Sequence, residues 1–450
     1  GNLLPMAYAL PNAAFVGIDY SSRQIEEGQA RIAHLSLRNV ELLCRDLAAS
    51  GDELGKFDYV IAHGVYSWVP APVREALMAL IKRVLRPQGV AYVSYNTYPG
   101  WHITGIVREA MLYHGRHATT PEEKAAAARA MLDLMAEHAT EGAHGGIFRS
   151  YRDFLGDGLK GSSNAFLLHD ELEENNDPVY FYQFVEHAAA HGLQYWVEVE
   201  LRDVLPHIFR EETQQRLQEV ARDAIELEQY MDFLRNRMFR QTLLVHMDVP
   251  IARRLDPTPV AQCFVRSQAK PLQDPNNGNV VQFQSADGGT LTTDHPMTRA
   301  LMARLAALWP RAVGFRDLVE RYRREAKPEP SKPGTPPDAL IFAANLLRAF
   351  GYSSQLVSLH VFHPTIVPEV SARPVASPVA RWEARSRTVV TNLWHERVAL
   401  QPMQRDLLAR LDGRHTRAGL AVATPELAAL SAEELEIHLR RLAQAALLVG

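Results

Sequence analysis

Between Ala14 and Tyr95 the chain alternates short apolar runs with helix-like segments, and that alternation leaves few folds open to it. The runs Ala14-Phe-Val-Gly-Ile-Asp19, Val40-Glu-Leu-Leu-Cys44, Phe57-Asp-Tyr-Val-Ile-Ala62 and Val90-Ala-Tyr-Val-Ser-Tyr95 are short and apolar enough to be buried on both faces. Between the first two, Ser21-Ser-Arg-Gln24 is a capping box that opens a helix, and Ile25, Gly28, Ile32 and Leu35 recur at helical spacing. Before the fourth, Pro72 marks a helix start, Val73, Leu77, Leu80, Ile81 and Val84 form one buried face, and Pro87-Gln-Gly89 stops that helix. The order β-α-β-β-α-β predicts an α/β fold with a doubly wound parallel sheet.

Ligands of such a sheet bind beyond the carboxyl ends of its strands. Three strand ends are therefore candidates. Asp19 closes the first strand, where a carboxylate accepts hydrogen bonds from the two ribose hydroxyls of a nucleotide-like cofactor; helix capping is the structural alternative. Asp46 follows the second strand in Cys44-Arg-Asp-Leu47, placed to accept from an adenine amine, with Leu47 covering the ring. The fourth strand runs into Tyr95-Asn-Thr-Tyr-Pro-Gly-Trp101, which crowds Tyr95, Asn96, Tyr98 and Trp101 at one end, although Tyr-Pro-Gly is also good turn chemistry.

Beyond residue 105 the pattern changes. A helical insertion is expected over about 105–192, with Thr120-Pro-Glu-Glu123 as a helix start, an acidic stretch Asp170–Asp177, and a helix from Pro178 to His191. Gly192–Glu200 and Phe239–His246 read as late strands that complete the sheet, closing a first domain at 1–250. Residues 254–365 and 372–450 read as two winged-helix-like α+β domains, each in helix-helix-helix-hairpin order, with a wing expected at Ser354–Phe362. Turns at Pro275-Asn-Asn-Gly278 and Asp287-Gly-Gly289 and the Pro-rich Lys327–Pro337 divide the first of them.

The 450 residues are 47% hydrophobic and 22% charged, which suits a globular chain of about three domains. A net charge of -4 without a dense Lys/Arg run argues against nucleic acid as a partner. No apolar run approaches the roughly 18 residues of a membrane span. Two cysteines, Cys44 and Cys263, supply no disulfide framework or thiolate metal site and fit a cytoplasmic protein. The histidines at 114, 117 and 144 show no metal-ligand spacing, so no metal is expected.

Gly-Asn-Leu-Leu-Pro-Met6, Phe15-Val-Gly-Ile-Asp-Tyr-Ser21, Gln24-Ile-Glu-Glu-Gly28, Phe57–Pro70 and Val93–Trp101 together resemble class I S-adenosylmethionine-dependent methyltransferases carrying a methyltransferase regulatory domain. Glu173–Phe181 and Phe184–Ala188 are similar to that family's regulatory segment. The group includes rickettsial protein lysine methyltransferases, whose carboxyl-terminal winged-helix-like domains residues 254–450 resemble more loosely. The resemblance implies a Rossmann-like methyltransferase sheet and S-adenosylmethionine as cofactor, contacted by Gly1, Asn2, Asp19, Asp46, Leu47, His63 and Gly64. The glycine loop is matched by Gly1-Asn2 alone, so its preceding strand is expected to be missing.

Methyl transfer is an in-line displacement at a sulfonium carbon, to which a protein contributes positioning and electrostatics. For a lysine acceptor, an aromatic channel lowers the amine pKa by desolvation. Tyr95, Asn96, Tyr98 and Trp101 are the catalytic candidates, with Asn96 orienting the amine, and Tyr66 and Trp68 line the substrate side. The best single expectation is methyl transfer to protein lysine, with a protein or peptide substrate and a homodimer as one open assembly. A small-molecule or peptide natural-product acceptor, and a non-catalytic scaffold, remain the alternatives.

Overall fold

The computed structural model describes residues 2–138, 146, 148, 149, 167, 168, 172, 173, 175–272, 280–327 and 336–450. Gly1, His144, the Pro275–Gly278 turn, Asp170, Glu171 and Glu174 of the acidic stretch, and most of the Pro-rich segment lie outside them. The chain divides into two compact units, Gly1–Cys44 with Ala252–Gly450, and Arg45–Ile251. Among the described residues no helix is long and apolar enough to cross a membrane.

In the first unit, helix α1 (Leu3–Ala9), strand β1 (Phe15–Asp19), helix α2 (Ser22–Leu35) and strand β2 (Val40–Cys44) form one βαβ-type unit, with β1 and β2 parallel from Phe15↔Val40 to Asp19↔Cys44. Asn39 ties α1 to the strands: its Nδ2 donates to the carbonyls of Ala7, Leu10 and Ala13. A Cβ on Gly28 would meet Leu42 Cδ1 at 2.4 Å, so glycine lets α2 lie close on β2. Ser21 caps α2 as its sequence predicts, its Oγ accepting from Gln24 N at 3.4 Å. The reciprocal bond goes elsewhere: Ser21 N donates to Asp19 Oδ1, the strand-end carboxylate, at 2.8 Å.

Among the described residues, the rest of that unit holds two large apolar cores, one around Val265, Phe283, Leu301 and Leu346, the other around Leu407, Leu420, Leu439 and Leu447, and a smaller one around Ile366, Leu393 and Trp394. Ser354–Phe362 does not make the local hairpin expected of it. Its strand, Ser358–His360, pairs antiparallel with Phe264–Arg266, which also pairs with Val313–Gly314. In residues 372–450 the hairpin Val389–Thr391/Arg397–Ala399 follows helix Pro378–Ala384 and precedes the remaining helices, so the helix-helix-helix-hairpin order is not kept. Apolar periodicity identifies such elements but does not say which distant strand will complete a pair.

The second unit carries a four-stranded mixed sheet in the order β3-β4-β6-β5: β3 (Phe57–Ala62), β4 (Leu85–Asn96), β5 (Leu193–Glu198) and β6 (Phe239–His246). β3 and β4 are parallel, whereas β6 runs antiparallel to both β4 and β5. The late strands therefore complete the sheet in antiparallel fashion. Helix α3 (Ala71–Val84) ends where expected, but Pro87-Gln-Gly89 lies inside β4: Phe57 faces Leu85 and Tyr59 faces Val90, and the register shift between them absorbs the turn-prone residues. Helices α4 (Gly100–His114), α5 (Pro121–His138), α6 (Phe181–Ala190), α7 (Glu211–Val220) and α8 (Ala224–Arg235) complete the unit. Met78 and Ile81 of α3, Val93 and Tyr95 of β4, Phe184 of α6 and Leu244 of β6 share one core, which fixes the carboxyl end of β4 against α6.

Candidate active site

At the end of β4, alternate side chains face opposite sides of the sheet, and this separates the candidates into two groups. Tyr95 turns into the core. It is 1% exposed, its ring stacks on Phe184 with centroids 3.9 Å apart, and its hydroxyl lies 3.2 Å from Thr242 Oγ1. Burial holds its phenol well above the usual range, so it is a neutral, fixed ring. Tyr66, in the 3₁₀ turn Tyr66–Trp68, is likewise buried, edge-on to Phe184, with its phenol pushed up to about 12 chiefly by burial.

Asn96, Tyr98, Trp68 and Trp101 make the second group. Asn96 is held from both sides: its N–H donates to Ser67 Oγ at 2.9 Å and its Nδ2 to Asn176 Oδ1 at 2.9 Å. The second bond fixes the orientation of the amide through one Nδ2 hydrogen and leaves Oδ1 with acceptor capacity. Trp68 and Trp101 meet edge to face with centroids 6.4 Å apart. Tyr98 stacks on His102 at 4.1 Å, and Tyr180 stands 5.3 Å from Tyr98 with its hydroxyl 3.0 Å from His102 Nε2. Burial first, then the charge of Asp177 and Tyr180, raises the Tyr98 phenol, which keeps its proton available for donation.

The segment 176–180 is what assembles this end of the sheet. Val179 N donates to Asn96 O, Tyr98 N and Thr97 Oγ1 donate to Val179 O, and Asp177 N donates to Ser67 O at 2.8 Å. Asp177 also pairs with Arg74 of α3. Asn176, Tyr180, His102 and Ser67 thus join the site without having been singled out in the sequence. Asn176 stands in the acidic Asn-Asn-Asp-Pro run, but its partner is 80 residues away, a separation no local pattern reports.

At the end of β3, Gly64 adopts φ +65, a conformation that favours glycine, and its N–H donates to Ser94 Oγ at 2.9 Å. His63 is exposed, with Nδ1 2.8 Å from Tyr92 Oη and 3.0 Å from Ser94 Oγ. Asp46 caps the short helix Leu47–Ala49 through Oδ1 and Ala48 N, and half-buried Leu47 packs on the core of the sheet. In the first unit, exposed Asp19 at the end of β1 spends one oxygen on Ser21 N, and Asn2 is the N-cap of α1 without a side-chain capping bond.

Comparison with known proteins follows this layout. Residues 1–89 match the methyltransferase domain family, 163–246 the predicted methyltransferase regulatory domain, and 372–445 the carboxyl-terminal winged helix domain of PKMT. The chain belongs to the class I S-adenosylmethionine-dependent methyltransferases with a regulatory domain. Two proteins of Rickettsia prowazekii, both named only as uncharacterised, are similar to this methyltransferase. One is 29% identical over 436 residues, 94% of this chain and 76% of its own; the other is 33% identical over 190 residues, 42% and 74%. The structure of PKMT2 from Rickettsia typhi in complex with AdoHcy shares the fold at TM-score 0.82, with 24% identity over 100% of this chain and 92% of that one.

Taken unit by unit, the strand ends carry groups of the kind that a nucleotide-like cofactor engages. Asp19 offers a solvent-facing acceptor at a strand end, the requirement of a ribose diol. Asp46 keeps acceptor capacity beyond its capping bond, and Gly64 lets the backbone after β3 turn sharply. The segment that aligns Asn96 falls within the regulatory-domain match, so that domain contacts the carboxyl end of β4 directly.

Proposed function

We propose that this methyltransferase transfers a methyl group from S-adenosylmethionine to lysine side chains of a protein substrate. The observation that carries this reading is the arrangement at the end of β4: an amide oxygen with acceptor capacity on Asn96, set beside the Trp68/Trp101 pair and the Tyr98/His102/Tyr180 stack. Bound S-adenosylmethionine supplies a methyl group on a sulfonium for in-line displacement. Apolar rings favour the neutral amine that the reaction needs by desolvating its charged form. Asn96 Oδ1 accepts an amine N–H and aims the nitrogen lone pair, while the ring faces favour the cationic product by about 0.5 to 2 kcal/mol each. Tyr66 and Tyr95 hold these groups from behind. Asp19 accepts from the ribose hydroxyls and Asp46 from the adenine amine.

Protein as the acceptor class is supported by the match to the winged helix of PKMT and by the PKMT2 fold. The last helix of that domain, Ala432–Gln444, carries Glu433, Glu434 and Glu436 beside Arg440, and Glu436 bonds both Arg440 and Arg417. Such a mixed, internally paired surface suits protein docking better than phosphate binding.

The test separates cofactor from acceptor roles. With labelled S-adenosylmethionine and a lysate, mass spectrometry should place the label on lysine. Asn96→Ala and Tyr98→Phe should lower turnover with cofactor affinity nearly unchanged, whereas Asp19→Ala should weaken cofactor binding by calorimetry. Equal losses of affinity in all three variants would sink this division, and label confined to small molecules would overturn the acceptor.

A further inference from the structure

We propose that Glu75, His187 and His191 form a binding site for a divalent d-block cation such as Zn²⁺, bridging α3 and α6. His187 lies in α6 and His191, four residues on, is its C-cap, and their rings stand together at the carboxyl end of the helix with centroids 5.2 Å apart. Glu75 of α3 lies opposite, its Oε1 3.2 Å from His187 Nε2 and its Oε2 2.9 Å from His191 Nε2. One donor atom from each residue lies within 4.8 Å of the others. Bonds of about 2.0 Å at tetrahedral angles place neighbouring zinc ligands roughly 3.3 Å apart, so each carboxylate oxygen already stands near ligand spacing from one imidazole nitrogen, and a shared ion draws the three donors together within their 4.8 Å spread.

The surroundings fit a ligand role. His187 Nδ1 lies 2.8 Å from Tyr66 Oη, so the ring can donate there and present Nε2 to an ion, the outer hydrogen bond that metal-bound imidazoles make. Tyr66 is fixed against Phe184, which locks the orientation of that ring. The imidazole side chains are 18% and 20% exposed and Glu75 62%, so an ion enters from solvent and water takes a remaining position. Two imidazoles and one carboxylate select zinc, cobalt or nickel over magnesium or calcium, which prefer all-oxygen sets. The bound ion would clamp the regulatory helix to α3 and brace Tyr66, the first residue of the turn that carries Ser67 and Trp68.

The full chain, stripped with chelator, is titrated with Zn²⁺ against a chromogenic competitor, and with Co²⁺ by visible absorption. One tight equivalent is expected, with tetrahedral-type Co²⁺ bands. Glu75→Gln and His191→Ala should each weaken zinc binding by on the order of a hundredfold, and Tyr66→Phe by about tenfold through loss of the outer hydrogen bond. Zinc should raise the thermal midpoint of the parent but not of His191→Ala, whose metal-free midpoint should match the metal-free parent. Zinc affinity in Glu75→Gln and His191→Ala equal to the parent's, or no tight equivalent in the parent, would overturn the site and leave an ordinary carboxylate bonded to two histidines.

Discussion

At the residue scale, the largest commitment of charge is Arg240, which is fully buried in β6. Its Nε and Nη2 donate to Asp232, its Nη1 to Glu198 and Glu228, and its guanidinium lies 3.6 Å from the Phe181 ring. Thr242 joins this cluster to Tyr95, bonding Glu198 on one side and the Tyr95 hydroxyl on the other. Arg240→Leu leaves several buried carboxylates without their main partner and should cost about 3 to 5 kcal/mol in urea unfolding. Arg23→Ala breaks only an exposed pair with Glu27 and should leave the midpoint unmoved. Glu228 shows the opposite electrostatic balance: burial outweighs Arg240 and pushes its carboxyl up to about 7. A folded-state value above the ordinary 4.5 means the folded protein holds the proton more tightly. Its contribution to stability is therefore complete below about 4.5 and lost as pH rises through about 7. Glu228→Gln should flatten the fall in stability between about pH 4.5 and 7 by up to about 1.4 kcal/mol per pH unit, read from urea midpoints across that range. An unchanged slope would assign the pH dependence to other groups.

At the scale of elements, the join between β4 and α4 is the tightest point near the site. A Cβ on Gly100 would meet Arg237 O at 2.6 Å and Met238 Cγ at 2.4 Å, and Gly100 N donates to Arg237 O at 2.9 Å. The carbonyl is backbone and cannot swing aside as a flexible side chain would. Gly100→Ala should destabilise by about 1 to 3 kcal/mol and lower turnover, because relief of the clash moves Trp101 relative to Trp68. Unfolding midpoints and initial rates check both parts. Rates at the parental level in a destabilised variant would show that the Trp pair tolerates such movement.

At the scale of the whole molecule, cofactor binding and folding are linked by mass action. S-adenosylmethionine at a hundred times its dissociation constant should stabilise the folded chain by about 2.7 kcal/mol, seen as a concentration-dependent rise in thermal midpoint. Asp19→Ala should need proportionally more ligand for the same rise, while Asn96→Ala should follow the parental curve. A midpoint indifferent to the cofactor would favour the scaffold alternative over the enzyme.

How much could be read beforehand differs between fold and site. The strands at Phe15, Val40, Phe57 and Val90, their helices, and the late strands at Leu193 and Phe239 were legible because periodicity and capping act over a few residues. The crowding of Asn96, Tyr98 and Trp101 after β4 was legible for the same reason. Pairing was not: the antiparallel course of β6, the strand Ser358–His360 crossing to Phe264–Arg266, and Asn176 reaching Asn96 all depend on contacts between distant segments. Nor was the side taken by each ring at the strand end, since Tyr95 and Asn96 face opposite ways only once a pleated strand is fixed in a sheet. The sequence by itself determined the elements and the chemical groups at their ends. Tertiary structure alone decided which of those groups became core, which gained a hydrogen-bond partner, and how the end of β4 was assembled, because those outcomes depend on burial and distance rather than on neighbours along the chain.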